Sequence, residues 1–153
     1  MLKLISKLVG SKSDRDLKKL QPHVESVNAF DAALKTMSND QLRERTVAFK
    51  ASIVEATAET KASKDALHAQ IDATPDYDAR EPLYEEIEAL DAQELELIEG
   101  VLSAIHPEAF GVMRETARRF NAGDVRATAT VLQEEFAKNH PHITLDGDEV
   151  IYS

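Results

Sequence analysis

The sequence predicts a mainly α-helical fold with elongated helices, an antiparallel helical hairpin of coiled-coil type and a small C-terminal β-hairpin. Its composition is 42% hydrophobic but only 5% aromatic, with five glycines and no tryptophan, which suits helices better than a sheet core. Two long stretches of helical periodicity flank a Pro-Asp turn signal near residue 75. Near the C-terminus, apolar and polar residues alternate around an Asp-Gly pair, which is a β-hairpin signal.

The first segment has the pattern of a short basic amphipathic helix. An isolated helix shorter than about 12–15 residues is marginal in water, so this one needs a surface on which to fold. Two surfaces remain open from the residues alone: anionic lipid headgroups and the body of the protein itself. The side chains expected to make this contact are Leu2, Lys3, Leu4, Ile5, Lys7, Leu8 and Lys12.

Two lead-in helices are predicted next. The first keeps a helical period across Pro22, which marks a kink or a restart. The second begins at a capping box, because Ser38 and Gln41 have the spacing at which side chains and backbone N–H groups bond reciprocally. Leu42 and Phe49 lie on the apolar face of this second helix.

A helical hairpin follows, with its turn at Thr74-Pro75-Asp76 and a return helix from about Ala79. Between Glu55 and Glu99 it holds 14 acidic and three basic residues, a net charge of −11. Two interpretations remain open. The simpler is a solvated antiparallel pair with a thin apolar seam, and the other is a dedicated docking arm.

The run from His106 to Phe120 predicts a new helix that begins at Pro107, because proline at the first helical position gives up an N–H that is unpaired there in any case. Glu108 suits the positive end of the helix dipole, and the arginines near the other end suit the negative one. One face is apolar and the arginines lie towards the other. The apolar positions are Phe110, Met113, Ala117 and Phe120.

The last segment combines a short helix with the β-hairpin. Gly123 and its neighbours predict the end of the preceding helix, and Thr130 with Gln133 has the spacing of a second capping box. Residues 125–130 are rich in valine and threonine and fit helix or strand. The hairpin around Asp146-Gly147 must dock, since a lone two-stranded hairpin is marginally stable.

These elements predict five consecutive segments. They are residues 1–12 (basic amphipathic helix), 13–56 (lead-in helices), 57–104 (acidic helical hairpin), 105–122 (the helix with Pro-Glu-Ala-Phe at its start) and 123–153 (short helix plus β-hairpin).

The charge is distributed unevenly. The chain has a net charge of −10, yet its first 20 residues carry six basic and two acidic side chains, so the remainder carries −14. Such a balance argues against nucleic acid as a partner, because phosphate neutralisation needs a basic surface. The absence of cysteine excludes disulfides and thiolate chemistry. No apolar run approaches the roughly 20 residues that cross a bilayer.

Catalytic motifs are absent from the sequence. The run at residues 10–13, Gly-Ser-Lys-Ser, lacks the earlier glycine, the Gly-Lys pair and the preceding strand of a phosphate-binding loop. His140 and His142 are only two candidate metal ligands, and no Glu-x-x-His pair or Gly-x-Ser-x-Gly elbow occurs. We therefore expect no catalytic residue, no cofactor site and no metal site in this chain.

Three ordered runs nevertheless carry a resemblance. They are Gly-Ser-Lys-Ser-Asp-Arg-Asp-Leu at 10–17, Met-Ser-Asn-Asp-Gln-Leu-Arg at 37–43 with Thr46 and Phe49 following, and Pro-Glu-Ala-Phe-Gly-Val-Met-Arg-Glu-Thr-Ala at 107–117. In this order they resemble the N-terminal region of the SecA family, the ATP-driven motors of bacterial preprotein translocation. Most of the chain is covered by the three runs and the intervals between them.

The resemblance implies a non-catalytic N-terminal segment of a motor that couples ATP hydrolysis to preprotein export through the Sec channel. The family's Walker A loop with Gly-Lys-Thr would lie beyond this chain, so the chain alone is not expected to be an enzyme, and ATP and Mg²⁺ would belong to the longer protein. The implied partners are the Sec channel, preprotein and acidic phospholipid, at the inner face of the plasma membrane on its cytoplasmic side. Self-association of the segment stays open.

The resemblance also implies roles for the residues named above. Residues 1–12 would contact membrane or channel. A second set would pack the lead-in helices onto the nucleotide-binding domain; it comprises Leu42, Phe49, Phe110, Met113 and Phe120.

The hairpin departs from the common family pattern, in which a short loop joins the corresponding helices, so the resemblance supplies no role for it. An alternative function from a different class is a free-standing acidic helical-hairpin adaptor. It would bind another protein through the seam around Leu83, Ile87 and Leu90.

Overall fold

A computed structural model describes residues 12–153. The predicted basic helix of residues 1–12 lies outside this range except for Lys12, which is exposed at the start of the first described helix. The elements in chain order are α1 (Lys12–Asn28), α2 (Asp31–Thr36), α3 (Asn39–Ala73), a 3-10 helix (Asp78–Arg80), α4 (Glu81–Ala122), β1 (Val125–Thr128), α5 (Val131–Ala137), β2 (Ile143–Asp146) and β3 (Glu149–Tyr152). The mainly α-helical fold with a small C-terminal sheet is thereby confirmed.

The chain forms two compact units. The hairpin unit comprises Thr46–His106, and the scaffold unit comprises the described residues up to Arg45 together with Pro107–Ser153.

In the hairpin unit, α3 ends at Ala73 and α4 begins at Glu81, so the predicted turn between two long helices is confirmed. Leu67 and Ile71 are buried in the seam. Thr57 and Thr60 are also buried there, and each hydroxyl donates to a carbonyl of its own helix, at 2.9 Å in both cases. The seam is therefore thin, with its polar groups satisfied locally.

The prediction that a helix begins at Pro107 is wrong. Helix α4 continues without a break from Glu81 to Ala122, with Pro107 inside it. Proline removes one backbone hydrogen bond, but neither glycine nor asparagine precedes it closely enough to end the helix. Pro22 likewise lies inside α1, so the helix does not restart there.

The scaffold unit contains a three-stranded antiparallel sheet in the order β1-β3-β2. The predicted β-hairpin is β2-β3, closed by a two-residue loop in which Gly147 has a φ of 60°, a left-handed conformation that favours glycine. Residues 125–128, ambiguous in the sequence, form the third strand. This strand gives the hairpin the docking partner that its marginal stability requires.

Both predicted capping boxes are present in the scaffold unit. The N–H of Ser38 donates to Gln41 Oε1 at 2.7 Å, and the N–H of Gln41 donates to Ser38 Oγ at 3.1 Å. At the start of α5, the N–H of Thr130 donates to Gln133 Oε1 at 3.0 Å. These bonds fix the N-termini of α3 and α5.

Gly111 brings α4 into close contact with α2. A Cβ at this position would lie 2.7 Å from Leu34 Cδ1, closer than van der Waals contact allows. Leu34 is almost completely buried, so its Cδ1 would have to shift against packed neighbours. The absent side chain of Gly111 is therefore what allows the two helices to approach.

Candidate functional site

The C-terminal part of α4 buries a face that contains the charged Glu115 and exposes an apolar stripe on the opposite face. Gly111, Val112 and Glu115 are buried. Exposed fractions on the opposite face are 53% for Phe110, 70% for Met113 and 48% for Phe120. A surface helix that completes its own fold has the reverse arrangement, so this apolar stripe is the feature that calls for a functional explanation.

The carboxylate of Glu115 is the centre of this buried face. It accepts hydrogen bonds from Arg118, at 2.6 and 2.8 Å, and from Arg119 Nε at 2.8 Å. The bonds from Arg118, followed by those from Arg119, lower the pKa of Glu115 to about 2, although burial alone would raise it.

Arg119 also joins α4 to the segment between α2 and α3. Its guanidinium donates to Asn39 Oδ1 at 2.7 Å and to the backbone carbonyl oxygens of Leu34, at 3.1 Å, and Met37, at 2.8 Å. These carbonyls lie at the C-terminal end of α2, where a cation is favoured. One arginine thus supports the end of one helix and the start of the next.

Two further ion pairs tie α4 to the lead-in helices. Arg114 donates to Asn28 Oδ1 at 2.7 Å and to the carboxylate of Asp31. Arg45 donates to both carboxylate oxygens of Glu108, at 2.6 and 2.9 Å. The planar geometry of a two-bond arginine pair fixes orientation as well as distance.

Side chains from the first turn of α3 cap the outer edge of β1. Asn39 Nδ2 donates to the carbonyl of Arg126 at 2.6 Å. The carboxylate of Asp40 accepts from the backbone N–H of Thr128 at 3.1 Å and from its hydroxyl at 2.8 Å, and Arg43 donates to the carbonyl of Thr128 at 2.9 Å. A helix terminus therefore occupies the place of a fourth strand.

The residues predicted to pack on a nucleotide-binding domain fall into two groups. Leu42 is buried within this chain, and Phe49 is half-buried in the hairpin unit. Phe110, Met113 and Phe120 form the exposed stripe, where the ring of Phe120 also meets that of Tyr152 edge to face at 5.7 Å. Residues 2–8, predicted to contact membrane or channel, lie outside the described residues.

The hairpin tip carries aromatic residues that the sequence analysis did not single out. Tyr77 and Tyr84 are 81% and 53% exposed, and they line a shallow groove of about 540 Å³. Leu83 and Leu90, by contrast, are half-buried, and Leu90 borders a cavity with Ala56 and Thr60 of α3. In the sequence, the helical spacing of Tyr84, Leu95 and Leu102 places these three residues on one helix face, and this pattern could have indicated the surface.

Within residues 12–153, no group of three or more histidine or carboxylate side chains is placed to hold a metal ion. None of the helices in that range is both long enough and apolar enough to cross a membrane.

Comparison with known proteins defines the class of protein to which the chain belongs. Residues 5–135 match the family model of the SecA DEAD-like domain. The chain is 36% identical over 151 residues to the protein translocase subunit SecA of Christiangramia forsetii and 35% identical to that of Flavobacterium psychrophilum. Each match covers 98% of this chain. The chain belongs to the SecA family, as the three sequence runs indicated.

A third relative, the protein translocase subunit SecA of Prosthecochloris aestuarii, is 38% identical over 121 residues, or 78% of this chain and 12% of the relative. The chain spans 14% of the length of the first two relatives. No solved structure matches it.

Proposed function

We propose that this chain acts as the N-terminal, non-catalytic segment of a SecA-like protein translocase, whose motor couples ATP hydrolysis to preprotein export through the Sec channel. Family membership supports the proposal, as does the fact that the relatives are protein translocase subunits. The partners proposed for the whole protein are the Sec channel and preprotein.

The observation that carries the proposal is the exposed stripe of Phe110, Met113 and Phe120 on a helix whose opposite face is already buried within this chain. Burial of apolar surface is favourable by roughly 25 cal/mol per Å², so the apolar surface that this stripe still exposes favours a covering partner. The partner we propose is the nucleotide-binding part of the longer translocase. Leu42, being buried, is instead assigned to the internal packing of the segment.

The role proposed for α4 is that of a scaffold. The buried Glu115 and the half-buried Arg119 hold α2, α3 and, through Asn39, the sheet in one arrangement. A rigid support of this kind presents the stripe at a fixed geometry, which lowers the entropy cost of docking.

Contact with anionic membrane is proposed for residues 1–12, peripheral and at the cytoplasmic face. Each basic residue near an anionic bilayer contributes about 1 kcal/mol, and residues 1–12 carry three, Lys3, Lys7 and Lys12, with no acidic residue among them. Flotation of the chain with and without residues 1–12, on anionic and on neutral liposomes, tests this role. We expect only the intact chain on anionic liposomes to float, and equal flotation in all four cases would contradict it.

ATP and Mg²⁺ are proposed as ligands of the longer protein. The 153 residues contain no phosphate-binding loop with a Gly-Lys pair, so no step of ATP hydrolysis is assigned to them. The test is a turnover assay on the purified chain beside a longer product of the same gene that includes a Gly-Lys-Thr loop. We expect turnover from the longer protein alone, and turnover by the 153-residue chain after removal of contaminating ATPases would contradict the assignment.

A further inference from the structure

The groove at the hairpin tip has two exposed tyrosine rings on its walls. It lies between the turn and the first turns of α4 and is bordered by Tyr77, Tyr84 and the side chain of Ile87. The guanidinium carbon of Arg80 lies 4.9 Å from the centre of the Tyr77 ring, so a cation already stacks on one of these rings. Exposed aromatic rings attract cations, so these two tyrosines are suited to further lysine or arginine side chains.

Carboxylates surround the same rings. Glu81, Glu85 and Glu88 line the groove, and none of the three forms an ion pair with a lysine or arginine of residues 12–153. Asp91, by contrast, is paired with Lys64 at 2.8 Å. The groove therefore offers unneutralised negative charge next to aromatic surface, within a hairpin whose net charge is −11.

An apolar stripe continues from the groove along α4. Leu95 and Leu102 lie 11 and 18 residues after Tyr84, which places all three on one side of the helix, and both leucines are exposed. This side of the helix flanks the seam, because the half-buried positions Leu83, Leu90 and Glu94 lie about a quarter to a third of a turn away. The groove and the stripe together therefore form a surface on which acidic and apolar side chains lie next to each other.

We propose that this tip surface, defined by Tyr77, Glu81, Tyr84, Glu85 and Glu88 and continued by Leu95 and Leu102, binds a basic polypeptide segment with interspersed apolar side chains. Charge complementarity excludes nucleic acid and anionic lipid, which would be repelled. Lysine and arginine would lie on the tyrosine rings between the carboxylates, and leucine-like side chains would cover the stripe. The inference rests on the hairpin alone and does not depend on the proposed translocase function.

The test is fluorescence anisotropy with the intact 153-residue chain and a labelled Leu/Lys amphipathic peptide, beside the matched Leu/Glu peptide. We expect the basic peptide to bind, the acidic one not to bind, and the affinity to fall with added salt. Tyr77→Ala with Tyr84→Ala is expected to weaken binding about tenfold, since two cation–π contacts are lost. Glu81→Gln, Glu85→Gln and Glu88→Gln together are expected to weaken it by a similar factor.

The matched control is Val47→Ser with Val54→Ser, two exposed apolar positions on α3 that lie seven residues apart in the same unit. This variant is expected to bind as the unchanged chain does. All substituted side chains are exposed, so helicity by circular dichroism should stay constant throughout. The proposal is overturned if the basic peptide does not bind, if the acidic peptide binds equally, or if the tyrosine and glutamate variants retain full affinity.

Discussion

Glu115 and Arg119, one helical turn apart on α4, form an ion pair at 2.8 Å on the buried face of the helix. The Glu115 side chain is 5% exposed, and Arg119 uses its remaining donors on Asn39 and on two carbonyls at the end of α2. This pair is one of the links between α4 and the lead-in elements, and it explains why a charged carboxylate lies on the inward face of the helix.

Substitution of Glu115 should therefore destabilise the scaffold unit. Glu115→Ala leaves two arginines without their carboxylate, and we expect the free energy of unfolding to fall by about 3 kcal/mol. Glu115→Gln keeps one side-chain oxygen as a hydrogen-bond acceptor for the arginines. We expect it to lower the free energy of unfolding by about half as much. Thermal and urea denaturation followed by circular dichroism measure both. Equal stability of all three proteins would contradict the importance of the pair.

The low pKa of Glu115 predicts a pH dependence of a definite sign. Its folded-state pKa of about 2 lies below its ordinary value of 4.5, so the unfolded chain takes up the proton first as the pH falls. The stabilisation is fully present above about pH 5 and is lost between about pH 4.5 and pH 2. The Glu115→Gln variant should lack this part of the acid transition. If both proteins lose stability in parallel over that range, the assignment is wrong.

Gly111 offers a test of helix packing. Gly111→Val places branched atoms against the buried Leu34, and we expect it to lower the free energy of unfolding by about 2–3 kcal/mol. Gly111→Ala should change stability by less than about 1 kcal/mol, because better helix propensity offsets the displacement of Leu34 Cδ1. Denaturation of both variants distinguishes the effects, and a valine variant as stable as the glycine would show that the contact is not tight.

One substitution removes the acidic part of the edge cap of β1. Asp40→Ala deletes the acceptor for the N–H and hydroxyl of Thr128, so we expect stability to fall by about 1–2 kcal/mol. The amide of Thr128 should also lose protection from hydrogen exchange. Glu44→Ala, on an exposed position one turn later, is the control and should leave that amide protected. Unchanged protection in Asp40→Ala would mean that the edge is held by other contacts.

Local signals predicted much of this fold. The capping boxes at Ser38 and Thr130, the turn after Ala73 and the loop at Gly147 depend on residues a few positions apart, and all four are confirmed. The continuation of α4 through Pro107 was not predicted, because the proline is a local start signal that the long helix on either side overrides.

The other features of the fold and of the candidate site depend on contacts between residues far apart in the sequence, which local sequence patterns do not predict. The strand partner of Val125 is Tyr152, and Asn39 bonds to a carbonyl 87 residues away. Amphipathic periodicity located the apolar stripe of α4 but does not say whether a stripe is buried or exposed. That distinction follows from the Glu115 and Arg119 contacts on the opposite face, which only the three-dimensional arrangement reveals.

The central claim is that the longer translocase covers the stripe of Phe110, Met113 and Phe120. Because this chain has no cysteine, Met113→Cys gives it a single thiol, and Val47→Cys provides a matched exposed control. The most direct measurement is the rate of thiol alkylation at each position, located by mass spectrometry, in the 153-residue chain and in the longer protein. We predict that position 113 reacts at least about tenfold more slowly in the longer protein while position 47 reacts equally in both. Equally rapid alkylation of position 113 in the two proteins would contradict the claim.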